Sequence, residues 1–352
     1  MKEEIYDRDP LNEQASVLVD AQTDIKTAIK QSVLSGKNRE FIKQKISGII
    51  ERAIARIRSP TLKQDGKKSL MEFANRAYGN FKQDLNGLSP TQLTSAVILM
   101  RAITDKSRGS TYIPENPTER KAASVLSYPA YNKGIPLQEF QKTYMQRVDN
   151  ALTNLAESRA LDPNDFSGKN SLRNLAEMQV RYERHQDEIA DFKKRGTKLV
   201  VCSVHADCSS RCAKWQGGIY STDGTTGYTE DGKYYQPLEN ATDIFYTTKA
   251  GRTYKNGLLG FNCRHKLFEY KKDMVIPTVS EERQKREYAI TQRQRAMERD
   301  VISARENALL NKDTNIEKYR KWRKIAQERY ADYKQFSKDN RRAYYPDRVK
   351  IL

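Results

Sequence analysis

With 352 residues the chain has room for about two or three domains. Its 63 Lys and Arg against 45 Asp and Glu give a net charge of +18, and with only 37% hydrophobic residues it cannot close into one large apolar ball. No stretch approaches the ~18 consecutive apolar residues of a membrane span, the start Met1-Lys2-Glu3-Glu4 predicts no secretory signal, and four Cys are too few for a disulfide scaffold.

Up to about residue 195 the pattern is helical. Leu18, Ala21, Ile25, Ala28, Ile29 and Val33 recur at steps of three and four, the apolar stripe of an amphipathic helix. Gly36 is placed to stop that helix and Asn38 to cap the next, which carries Phe41, Ile42, Ile46, Ile49, Ile50, Ala53 and Ile57 on one face and is expected to run to Pro60. The pair reads as a helical hairpin. A further helix is expected over 69–85. Ser89-Pro90-Thr91-Gln92 then has the form of a capping box ahead of Leu93–Ile103, the most apolar run of the chain. After a Gly- and Pro-containing loop over 105–117, helices are expected at 118–126, 137–159 and 172–195, the last closing on Lys193-Lys194-Arg195-Gly196.

The texture changes at Thr197-Lys198-Leu199-Val200-Val201, a β-branched run that reads as a strand. From there to about Lys272 the chain is rich in Gly, Tyr and Thr, with further strands at Ile219–Ser221 and Lys266–Tyr270. Helix resumes over 280–307 and 315–336 and ends in a basic tail. The fold class is therefore mainly α with a small α+β module, in an elongated multi-domain helical protein. Its divisions are a helical hairpin (1–60), a helical domain (61–196), the module (197–275) and a basic C-terminal helical region (276–352).

All four Cys and two of the three His fall in the module. They form two clusters, His205-x-x-Cys208-x-x-x-Cys212 and Cys263-Arg264-His265, with Cys202 just ahead of them. Zinc takes four N or S donors in a tetrahedron, and two knuckles of two donors each supply them. His205, Cys208, Cys212, Cys263 and His265 are the candidate ligands. The same residues also read as reduced, buried thiols beside hydrogen-bonded imidazoles, or as a thiol activated by Arg264 and His265. His205, Asp207 and His265 could also hold a cation next to DNA, as in a metal-dependent nuclease. His185, in the charged run Tyr182–Asp187, reads as a solvated helix face.

Three segments carry a resemblance: His205–Ser221 with its Trp215-Gln216-Gly217-Gly218 element, Gly257–His265 with Gly260-Phe261-Asn262-Cys263-Arg264-His265, and the basic Tyr288–Arg299. In order and spacing they resemble the tailed-phage minor capsid protein 2 family, related to the Mu F-like minor head proteins. The resemblance covers about residues 170–350. Cys208 and Cys212 stand where the family often has Arg and His, and Leu259 where it often has Cys. The resemblance implies a non-enzymatic structural protein of the phage head near the portal vertex, acting in head morphogenesis and in DNA packaging or delivery. It implies contact with portal protein, other capsid proteins and packaged double-stranded DNA. It also implies a place in the virion, in the capsid interior or at the portal vertex, after assembly in the host cytoplasm. The alternatives are a metal-dependent nuclease or toxin-like enzyme and a zinc nucleic-acid-binding module.

Within that frame Trp215, Gln216, Gly217, Asn262 and Arg264 read as structural residues holding the two knuckles together. Arg283, Lys285, Arg286, Arg293, Arg295 and Arg299 read as a DNA-facing cluster that would hold phosphates without reading sequence. Tyr319, Trp322, Tyr330, Tyr333 and Phe336 lie at helical spacing and are expected to pack on the protein's own helices or a partner.

Overall fold

A computed structural model describes residues 10–86, 88–105, 111–112, 116–127, 135–136, 144–160, 172–247, 253–260 and 263–350. The chain forms two compact units, Met1–Ala15 with Pro163–Ala296, and Ser16–Asp162 with Met297–Leu352. The fold is mainly helical with one small mixed sheet, as the sequence implies.

The second unit is built on α1 (Pro10–Leu34) from Ser16 onward, α2 (Arg39–Ala55), α3 (Pro60–Asp84) and α4 (Pro90–Asp105). Gly36 adopts φ +68°, and the Lys37 amide reaches back to the Ser32 carbonyl at 2.9 Å, closing α1 as expected. The Asn38 side chain accepts from the Phe41 amide at 2.9 Å and starts α2. The third helix begins nine residues earlier than the apolar pattern suggests. Ser59 Oγ accepts from the Leu62 amide at 3.0 Å, and Pro60, which needs no N–H partner in a first turn, opens α3 rather than closing α2. Gly66 lies in this added stretch, where a Cβ would press on Leu18 of α1 at 3.2 Å. The Ser89–Gln92 capping box forms in both directions, at 2.8 and 3.2 Å.

The short pair β1 (Thr111–Tyr112) and β2 (Ile135–Pro136) flanks α5 (Pro117–Ser127), which packs on α4. Helix α6 (Gln146–Glu157) packs on α3 and is shorter than the expected 137–159; residues 137–143 lie outside the described ones.

The first unit holds α7 (Leu172–Lys194) and a five-stranded sheet ordered β5-β6-β4-β3-β9, antiparallel except for β4 beside β6. Its members are β3 (Leu199–Cys202), β4 (Ile219–Ser221), β5 (Gly227–Tyr228), β6 (Tyr234–Pro237) and β9 (Leu267–Glu269). Between them lie the single-turn helices α8 (Ser210–Ala213) and α9 (Glu239–Thr242) and the hairpin β7 (Phe245–Thr247)–β8 (Thr253–Lys255). Val200, Cys202, Tyr220 and Leu267 from the sheet meet Phe192, Leu238, Ala241, Leu258 and three further cysteines in one core. Strand β5 has two residues and β6 to β8 only three or four each, too few for an alternating pattern to register along the sequence.

Helix α10 (Glu281–Asn311) contributes Glu281–Ala296 to the first unit and Met297–Asn311 to the second. Helices α11 (Ile316–Asp339) and α12 (Pro346–Val349) complete the second. Tyr333 is wholly buried between Val301 and Val349; its hydroxyl meets Glu298 Oε1 at 3.1 Å and accepts from the Tyr345 amide at 2.9 Å. Tyr330 packs against the same cluster, so these aromatics serve the protein's own core.

One apolar stripe does not explain this core. Gln284, Thr291, Gln294 and Glu298 in α10 are buried at steps of seven, three and four, and Glu306, Asn307 and Asn311 follow them inside. In the second unit, wholly buried Lys26 lies 3.2 Å from Glu306 Oε2 and donates to the Ala156 carbonyl at 2.9 Å. Arg159 reaches the same carboxylate at 2.7 Å.

Candidate metal centre

Strand β3 delivers Cys202 to the edge of the first knuckle. The Gly217 amide donates back to the Cys202 carbonyl at 3.1 Å and the Cys202 amide to the Gly218 carbonyl at 3.0 Å, so the intervening residues form a closed loop. Gly217 sits at φ +71°, a conformation that favours glycine, with Val204 and Ile276 packed where a Cβ would stand. Gln216 Oε1 accepts from the His205 amide at 3.0 Å, and the Trp215 carbonyl accepts from Tyr220 Oη at 2.9 Å. Inside this loop α8 carries Cys212 at its third residue, with Cys208 two residues ahead of the helix.

The second knuckle is a tight turn. The Leu258 amide donates to the Ala241 carbonyl at 2.8 Å, Leu259 sits at φ 57°, and the Cys263 amide donates to the Gly260 carbonyl at 3.0 Å. A Cβ at Gly257 would stand 2.2 Å from the Ala241 carbonyl oxygen, so only glycine fits.

The two knuckles meet. The donor atoms of Cys212, Cys263 and His265 lie within 4.8 Å of one another, all buried, in a group that could hold a metal ion. Cys263 Sγ is 3.4 Å from His265 Nδ1, while the buried His265 Nε2 has no hydrogen-bond partner. Cys208 lies beside Cys212, and its thiol donates to the Ser209 carbonyl at 3.3 Å. The His205 and His265 rings meet edge to face at 4.8 Å, and His205 Nε2 is 2.7 Å from Ser203 Oγ. All five residues singled out by spacing are thus gathered in one place.

The electrostatics follow from crowding. Hydrogen bonds from Cys208, Cys263 and His265, with the Arg211 guanidinium beside them, hold the Cys212 thiol far below its ordinary range against the cost of burial. Cys208 and Cys263, which supply those bonds, are pushed up. Three thiols this close cannot all ionise on their own; a divalent cation is the charge that would let them. Cys202 stands apart: burial pushes its thiol up to about 12, and it donates to the Ser203 carbonyl at 3.4 Å.

Two helices brace the knuckles. Gln284 of α10 donates to the Cys208 carbonyl at 2.8 Å, and Thr291 Oγ1 donates to Asp207 at 2.8 Å. His185 is not solvated: it is buried on α7 and donates from Nδ1 to the Leu259 carbonyl at 3.2 Å. Burial holds its ring down to about 4, hence neutral, because the face of α7 that the charged neighbours suggest is open packs on the module. Sequence reasoning missed His185, Gln284 and Thr291; the one available signal was the 3–4 spacing of polar residues through α10.

Among the other singled-out residues, Trp215 is partly buried against the module core and Arg264 is half-buried. Asn262 lies outside the described residues. Arg283, Lys285, Arg286, Arg293 and Arg299 are exposed on α10, whereas Arg295 is half-buried. No helix among the described residues is long and apolar enough to cross a membrane.

A family model described as phage minor capsid protein 2 matches residues 142–336, from just before α6 into the last turn of α11. No curated protein and no solved structure matches the chain.

Proposed function

The chain belongs to the phage minor capsid protein 2 family, and from that membership we propose that it is a non-enzymatic head protein near the portal vertex, with knuckles closed by a structural zinc ion. Membership carries a structural role in the phage particle, in association with other capsid proteins. The sequence resemblance supports the finer reading, in which the protein contacts portal subunits and packaged DNA during head morphogenesis and DNA packaging or delivery.

The zinc reading rests on the donor set. Two thiols and an imidazole that already converge, with the Cys208 thiol beside them, are the soft and borderline ligands that zinc prefers, and the unpartnered Nε2 of buried His265 is a group that needs an electrophile or a donor. Cys212, Cys263 and His265 would hold the ion with Cys208 as the fourth donor, His205 remaining on Ser203. Four protein donors close the coordination shell and leave no position for substrate or water, which favours structure over hydrolysis. Exposed Arg283, Lys285, Arg286, Arg293 and Arg299 supply a cationic face for phosphates, held without base contacts.

The family match is the observation that carries the proposal. Antibody labelling of purified, opened phage heads under the electron microscope tests it. Label confined to one vertex is expected. Label spread over the shell would contradict the portal placement, and protein absent from particles would contradict the whole reading.

A further inference from the structure

We propose that His185 and Gln284 are positioning residues of the metal centre, each setting one knuckle through a single buried hydrogen bond to its backbone. The inference rests on the zinc reading above and concerns residues outside the candidate ligand set.

The two bonds are alike in form and opposite in place. From α7, His185 Nδ1 reaches the Leu259 carbonyl at 3.2 Å. From α10, Gln284 Nε2 reaches the Cys208 carbonyl at 2.8 Å. Both side chains are buried, on helices whose composition is otherwise charged. A carbonyl only accepts, so His185 carries its proton on Nδ1 and Gln284 presents its amide nitrogen. Leu259 sits in the left-handed region, four residues before Cys263, in the turn that places Cys263 and His265. The backbone of Cys208 places the first knuckle beside Cys212. Neither bond touches a donor sulfur or ring nitrogen, yet each fixes the backbone from which the donors project. Ligands held this way lose little freedom on binding, and partners of this outer kind are typically worth about 10–100-fold in metal affinity.

The experiment uses the full-length chain, with Zn²⁺ affinity measured by competition against a chromogenic chelator and Co²⁺ loading read in the visible spectrum. His185→Leu and Gln284→Leu are expected to weaken Zn²⁺ binding by about 10–100-fold and to shift the Co²⁺ ligand-field bands, a change that a loss of global stability alone does not produce. His185→Asn, whose amide nitrogen can stand near the Nδ1 position, is expected to restore most of the affinity. Should His185→Leu fail to fold, His185→Asn against His185→Asp makes the same comparison at equal size, with the donor present or absent. Equal affinities and identical Co²⁺ spectra across these variants, in a wild-type protein that binds one Zn²⁺, would overturn the inference and leave the zinc reading standing. A wild-type protein that takes up neither metal would overturn the zinc reading itself.

Discussion

Lys26 gives the second unit a stability that depends on alkaline pH. Burial lowers its pKa from the ordinary 10.5 to about 8, even though Glu306 lies 3.2 Å away and pulls the other way. The cost of desolvating the ammonium therefore exceeds what the carboxylate returns. At about 1.4 kcal/mol per tenfold change in proton affinity, the difference is roughly 3 kcal/mol. Between about pH 8 and 10.5 the unfolded chain still holds a proton that the folded chain has released, so stability rises with pH across that window and the gain is absent below it. Lys26→Met abolishes this rise. At pH 7 the same substitution leaves Glu306 with Arg159 at 2.7 Å and Gln22 at 3.3 Å, so it should cost little. Glu306→Leu strips the counter-charge from both Lys26 and Arg159 and should cost about 3–5 kcal/mol. Urea unfolding at pH 7 to 10, followed by Trp322 fluorescence in a Trp215→Phe background, reads the unit that holds the pair. Wild-type and Lys26→Met midpoints that run parallel across this range would refute the argument, since the other titrating groups cancel in the difference.

The reduced protein should carry one zinc per chain, lose it in Cys263→Ser, and melt at a lower temperature after chelation, because a structural ion contributes directly to folding; a metal-free protein indifferent to chelator would exclude this. Gly257→Ala should destabilise the first unit by about 2–4 kcal/mol, since its Cβ would fall 2.2 Å from the Ala241 carbonyl oxygen; thermal unfolding within about half a kcal/mol of wild type would contradict the tight turn. DNA binding should be independent of sequence and fall steeply with salt, and changing Arg283, Arg286, Arg293 and Arg299 to Gln should flatten the log–log salt slope by about 0.9 per lost phosphate contact. An unchanged slope by fluorescence anisotropy would mean that the exposed charge of α10 does not face DNA.

Local bonds are the part of the fold legible along the chain. The Asn38 cap and the Ser89–Gln92 box join groups three residues apart, and the Gly36 stop needs only one residue tolerant of positive φ. Such bonds form wherever the residues occur in that order. The clustering of Cys and His was legible too, because composition alone confines every thiol to one module. Tertiary structure decided which polar groups lie inside. His185, Gln284 and Lys26 sit in runs whose charge speaks for solvent, yet each is buried against a partner, the carbonyl of Leu259, Cys208 or Ala156, that is far away in sequence. Burial of a polar group is set by whether the fold brings a partner to it, and no window along the chain contains that information. For the same reason the five candidate ligands were legible as a set, while their arrangement, Cys212, Cys263 and His265 converging with Cys208 beside them and His205 turned to Ser203, was fixed only when the sheet and the two turns closed.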